Sequence, residues 1–119
     1  MPSSSDRDTS LYLEDMADFC DRVLEYTSGM DAAALRADPM RRDAVLRNLE
    51  LIGEAATHVP DTVRAAYSEI PSRSIIATRN RLIHAYLGID ADTVWSIVAT
   101  DVPNLRAQLA KISHTPPTP

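Results

Sequence analysis

Residues 78–90 read TRNRLIHAYLGID. The segment has helix-forming character as far as Gly88, which readily takes the left-handed conformation that stops a helix, and Asp90 then offers a side-chain oxygen to cap the next one. One helix therefore ends and another begins here, and Ser72 upstream is a suitable N-cap for the first of them. Arg79, Asn80, Arg81, His84 and Tyr86 crowd the last turns of that helix, in a chain with three histidines. Two readings are open at this point: a polar edge of an ordinary helix, or a small kit for phosphate chemistry.

Working outward, Tyr12, Met16, Phe19, Val23 and Tyr26 recur at steps of four and three, and Leu13, Ala17, Cys20 and Leu24 form the adjacent stripe. This pattern predicts a first helix over residues 10–27 with one broad apolar face, stopped by Gly29. Glu14, Asp15, Asp18, Asp21 and Arg22 fall on its solvated side. A short helical turn is expected around residues 31–37. Asp38-Pro39 then reads as an N-cap followed by proline at the first helical position. The second long helix that follows should continue to about His58, stopped by Pro60, with Val45, Leu49, Ile52, Ala56 and Val59 on its core face. Asn48 sits beside that face and needs partners if buried. Residues 61–67 fit a two-turn helix. Past Asp90, Val94, Trp95, Ile97 and Val98 mark a further helix that Pro103 either kinks or restarts after Asp101, with Leu105, Leu109 and Ile112 as late apolar positions. The sum is an all-α bundle of four to five helices over residues 10–112, between a Ser- and Asp-rich tail (1–9) and a Pro-rich tail (113–119).

A length of 119 residues is one domain's worth, and an apolar fraction of 45% with three glycines favours helices. No window approaches the ~18 uninterrupted apolar residues of a membrane span, and the first ten residues lack the basic and apolar regions of a signal peptide, so a cytoplasmic location is expected. Cys20 is the single cysteine, which rules out an intrachain disulfide, and its apolar neighbours make it a packing residue. The net charge of −5 argues against non-specific coating of nucleic acid. Its distribution is uneven, however: residues 1–40 carry nine acids against three arginines, and residues 41–81 carry seven arginines against five acids, a local balance of +2. An anion site belongs in that middle part. There is no glycine-rich phosphate loop and no zinc-type spacing of Cys and His, so neither a metal nor an organic cofactor is expected.

Arg79 and Tyr86, seven residues apart, lie within ~20° of each other on an α-helix and share a face. His84 is five residues from Arg79, ~140° away, so the two meet only if the helix loosens near Gly88 or a second subunit completes the site. A neutral histidine can take a proton from a hydroxyl near physiological pH, and an arginine can stabilise charge building on a phosphate. Together they suit RNA cleavage in which the ribose 2′-hydroxyl is the nucleophile. The plain alternative stays open on spacing alone: His84 hydrogen-bonding a neighbouring helix end, and Tyr86 half-buried on a stripe with Ile75, Arg79 and Leu82. Arg41, Arg42, Arg73 and Arg81 are candidates for RNA-backbone contact, with a solvated helix face as the equal alternative. His58, at the end of the second long helix, reads as a capping residue.

Two long blocks carry a resemblance: RDAVLRNLELIGEAA at 42–56, and IPSRSIIATRNRLIHAYLGIDADTVWSIVATDVPNL at 70–105. They resemble the HepT-like branch of the HEPN superfamily, in which an R-x4-H-x-Y motif closes a helix of an all-α, dimeric fold. The resemblance implies a metal-independent ribonuclease toxin of a type VII-like toxin–antitoxin pair, whose partner is a minimal nucleotidyltransferase antitoxin, as a homodimer that could assemble further with that partner. On that basis Arg79 and His84 match the catalytic pair, Asn80 the supporting polar residue after the arginine, and Tyr86 the tyrosine that resembles the AMPylation acceptor, an O-AMP-tyrosine once modified. Ala85 stands where glycine is expected and Thr78 where an apolar residue such as Met is expected. A function of a different class, a non-catalytic helical nucleotide- or protein-binding module partnering a nucleotidyltransferase, accounts more easily for the acidic balance.

Overall fold

Helix α1 runs from Ser4 to Tyr26 and forms the spine of the fold. The computed structural model describes residues 4–59, 73, 75–81 and 91–112. The segment read as a loose tail is thus helical from residue 4, six residues before the expected start at Ser10. A Ser- and Asp-rich composition disfavours a helix interior but suits a first turn, where short polar side chains and negative charge meet unpaired N–H groups. Thr9 is already buried, so the packed length of α1 also begins earlier than the apolar stripes suggest. Met16, Cys20 and Val23 are fully buried, at the seam between the two stripes, while Tyr12, Leu13, Ala17, Phe19, Leu24 and Tyr26 flank it half-buried. After Tyr26 the Thr27 amide and hydroxyl both donate to the Val23 carbonyl, at 3.1 and 2.7 Å. Gly29 then turns the chain at φ +75°, a region that a side chain would make costly.

Short helix α2 (Ala32–Arg36) is capped by Asp31, whose carboxylate accepts from the Ala34 amide at 2.8 Å. Helix α3 (Pro39–Thr57) opens in the same way, with Asp38 accepting from the Arg41 amide at 3.1 Å. It ends on His58, whose amide bonds the Ala55 and Ala56 carbonyls. The His58 ring also stacks on Tyr12 of α1, centroids 4.7 Å apart, which ties the end of α3 to the spine. All five expected core residues are buried, four of them in α3 and Val59 just past its end, and among the described helices α3 provides the most extensive packing surface for α1. Asn48 is buried too; its Nδ2 donates to the Ala44 carbonyl at 2.9 Å and its Oδ1 has no partner.

Residue 73 and residues 75–81 are helical, and we label the latter α4. Helix α5 (Ala91–Ser96) passes without a break through a π-helical turn (Ile97–Asp101) into α6 (Val102–Ala110). Pro103 therefore does not restart the helix, one of the two expected outcomes; the helix widens just before it. Proline has no N–H to give to the carbonyl four residues back, and its ring crowds that carbonyl. The Val102 amide bonds the Ile97 carbonyl five residues back, and the wider turn accommodates the ring. Val94, Ile97, Val98, Val102, Leu105 and Leu109 are buried along this rod, which packs on α1 through α6. Arg106 of α6 grips Asp21 of α1 side-on, with Nε to Oδ1 at 2.6 Å and Nη2 to Oδ2 at 3.3 Å. No strand occurs among the described residues, and the arrangement is compatible with a helical bundle of the expected kind. No described helix is long and apolar enough to cross a membrane. The expected two-turn helix at 61–67, the Ser72 cap and the 113–119 tail lie outside the described residues.

Candidate functional site

Helix α4 holds Thr78, Arg79, Asn80 and Arg81 of the 78–90 stretch. Ile75 and Thr78 are buried, at 1% and 3% exposure, and Arg81 is half-buried. At 100° per residue these three span an arc of ~120° centred on Thr78. The rest of the circumference faces outward and carries Arg79, Ile76, Asn80 and Ala77, with Arg73 one heptad before Asn80 on the same side; all five are exposed. Ile75 thus joins the core as the stripe with Arg79 suggested, but Arg79 itself does not. No ion pair or hydrogen bond joins Arg73 or Arg79 to another described residue. Both side chains are exposed and unpaired among the described residues, which suits an anion-binding role.

Arg81 is placed differently. Its Nη1 donates to Asp101 Oδ1 at 2.9 Å and its Nη2 to Ser96 Oγ at 2.9 Å. The fork therefore closes on two residues of the α5–α6 rod, and Arg81 is a tie within the chain rather than a free phosphate contact. The Asp101 side chain is only 14% exposed, and its second oxygen, Oδ2, is buried without a partner. Ser96 and Asp101 escaped the reading of the sequence, where Asp101 figured only as a point of restart. The signal was present in Pro103, which forces the turn that brings them together.

The remaining arginine candidates lie on α3. Arg41 is exposed and sits 3.7 Å from the Asp38 carboxylate and 3.7 Å from the Met30 sulfur, and Arg42 is half-buried. His84, Ala85, Tyr86 and Gly88 lie outside the described residues. Cys20 offers no thiolate: burial, the largest influence, pushes its thiol up to about 12, opposed by Arg106 and assisted by Asp21. It is a packing residue, as expected. Among the described residues no group of three or more His, Cys, Asp or Glu side chains is placed to hold a metal ion.

A family model described as ribonuclease HepT-like matches residues 16–112, from the middle of α1 to the end of the rod. This chain belongs to the HepT-like family. A Thermococcus cleftensis member named probable ribonuclease HepT is 36% identical over 101 residues, covering 85% of this chain and 92% of its own length. A Methanocaldococcus jannaschii protein, provisionally named an RNase, is 33% identical over 106 residues, covering 89% of this chain and 91% of the relative. Another, from Caldanaerobacter subterraneus and likewise provisionally named, is 32% identical over 101 residues, 85% of this chain and 90% of the relative. No solved structure matches the chain at a significant level. The HepT-like match runs through the whole of residues 78–90, so Arg79 and Asn80 stand on the outer face of a helix inside the family domain.

Proposed function

We propose that the protein is a metal-independent endoribonuclease toxin that acts as a cytoplasmic homodimer, with Arg79 and His84 of both chains lining a shared cleft. The observation that carries this reading is the HepT-like match across Arg79 and His84, with Arg79 exposed on α4 and joined to no other described residue. In the reaction the 2′-oxygen of a ribose forms a bond to the adjacent phosphorus as the bond to the 5′-oxygen of the next nucleotide breaks. His84 takes the 2′-hydroxyl proton, an imidazolium supplies one to the departing 5′-oxygen, and Arg79 stabilises the charge on the phosphoryl oxygens between them. The products are a 2′,3′-cyclic phosphate and a free 5′-hydroxyl. Asn80, beside Arg79 on the same outward face, supports the phosphate by donating a hydrogen bond. Arg73 extends that face and is better disposed for RNA-backbone contact than Arg81, whose two Nη groups are engaged; Arg41 and Arg42 would act from α3.

Control by a minimal nucleotidyltransferase antitoxin that attaches AMP to Tyr86 fits the same chemistry, because bulk and negative charge would be added where RNA phosphates bind. Cleavage of an oligoribonucleotide that persists in EDTA, leaves cyclic-phosphate ends and fails when the 2′-hydroxyls are replaced by hydrogen is the expected result. Cleavage that needs a divalent ion, or that cuts the 2′-deoxy substrate, would refute the mechanism. Mass spectrometry after incubation with the partner and ATP should find AMP on Tyr86. The net charge of −5 is accounted for more easily by the second reading, a non-catalytic module partnering the nucleotidyltransferase, and an unmodified dimer without any RNase activity would favour that one instead.

A further inference from the structure

We propose that Arg81, Ser96 and Asp101 form a clamp that fixes the rotation of α4 about its own axis, making them positioning residues for Arg79 and Asn80. The inference rests on the reading of α4 as part of a ribonuclease site and adds to it the device that aims its outward side chains.

The clamp begins with Pro103. An α-helix would place Ser96 and Asp101, five residues apart, ~140° from each other. The π-helical turn, closed by the Val102 amide on the Ile97 carbonyl, narrows the angle between residues five apart to roughly 50°. The Ser96 hydroxyl and the Asp101 carboxylate then face α4 together, and the planar Arg81 guanidinium takes one with each Nη at 2.9 Å. A rigid fork with two acceptors has a direction, which an aliphatic contact lacks. The other inward residues of α4, Ile75 and Thr78, are buried, and among the described residues neither makes a side-chain bond to the rod.

Arg79 lies ~200° around the helix from Arg81, so any roll of α4 that releases the fork swings Arg79 and Asn80. At a side-chain radius of ~6 Å a roll of ~20° moves a side-chain end by ~2 Å. Misplacement of a catalytic group by ~1 Å can cost ~100-fold in rate. Asp101 also leaves Oδ2 buried and unpartnered, which an apolar contact between the two elements would avoid. The arrangement serves orientation at the expense of that oxygen.

The test uses the full chain and a random-sequence oligoribonucleotide, well below the unfolding temperature. Asp101→Asn should lower kcat by about 10- to 100-fold with KM within about twofold and helical content retained. Arg81→Lys, which keeps the charge but cannot span both acceptors, should do the same, and the milder Ser96→Ala should lower kcat severalfold without threatening the fold. Unchanged kcat in Asp101→Asn, wild-type behaviour of Arg81→Lys, or a fall in KM as a released Arg81 engages RNA would each overturn the clamp. A second readout needs no activity: a nitroxide on Ile76→Cys labels the outer face selectively, because Cys20 is fully buried. Its spectrum should show greater motion of α4 when Asp101→Asn is added. Should the wild-type protein cleave no RNA, or Arg79→Ala cleave as well as wild type, the ribonuclease reading fails, and the label then decides the clamp by itself: unchanged motion refutes it.

Discussion

Replacing Arg79 and Arg81 one at a time by alanine makes the same chemical change on the same helix, two residues apart, and the structure requires opposite outcomes. Arg79 is exposed and joined to no other described residue, and alanine is marginally the better helix former. Its removal should change stability by no more than about 0.5 kcal/mol, the range of ordinary surface substitutions. As the group that meets charge developing on the phosphate, it should cost about 100- to 1,000-fold in kcat. Arg81→Ala instead deprives Asp101 of its ion-pair partner while the carboxylate stays 14% exposed. Breaking a fully buried pair costs about 3–5 kcal/mol. With Arg81 itself 39% exposed, solvent screens part of this, and about 1–3 kcal/mol remains. At about 4 °C per kcal/mol for a domain of this size, Arg81→Ala should lower Tm by roughly 4–12 °C and Arg79→Ala by no more than about 2 °C. Thermal unfolding by circular dichroism and steady-state RNA cleavage on the same preparations provide the comparison. A loss of stability in Arg79→Ala that accounts for its lost activity, or full stability in Arg81→Ala, would refute the assignment of one arginine to the solvent face and the other to the tie.

Cys20 should resist alkylation at pH 8 in the native protein and react fully in urea. Its folded value of about 12 exceeds the ordinary 9.0, so the native state keeps a proton that the unfolded chain releases. Its contribution to stability is therefore intact below pH 9 and is lost as pH rises toward 12, by on the order of 4 kcal/mol, and urea titrations against Cys20→Ala should show that difference in alkaline slope. Gly29→Ala meets no atom within 4 Å, so only the positive φ opposes it, and a loss of about 1 kcal/mol by denaturant unfolding is expected. Asp38→Ala strips the cap of α3 and should cost about 1 kcal/mol, whereas Asp38→Asn, which keeps an accepting oxygen, should recover most of it.

Much of the fold was legible because the interactions that specify it are local. Asp31 and Asp38 cap helices through bonds to amides three residues on, Gly29 supplies a backbone conformation, and the stripe of α3 names its buried residues by periodicity alone. Where local signals compete, the sequence was less informative. The Ser- and Asp-rich start looked like a tail although it continues α1, and the broad apolar face of α1 did not reveal that Met16, Cys20 and Val23 form its deepest line. The candidate site divides in the same way. Arg79, Asn80 and His84 stand out through residue type and motif, and the HepT-like match follows from the linear order of residues.

Arg79 and Arg81 look interchangeable in the sequence, two arginines flanking an asparagine. Their difference arises only when α4 lies against the α5–α6 rod, where Ser96 and Asp101, brought into line by a turn that Pro103 widens, close on Arg81 alone. The sequence by itself determined the all-helical class, the Asp38 cap, the core stripe of α3, the family and the chemical groups available for phosphate. Which arginine is held and which is presented was decided by tertiary structure, because an ion pair across 20 positions of chain depends on the relative placement of two helices and leaves no periodic trace in either.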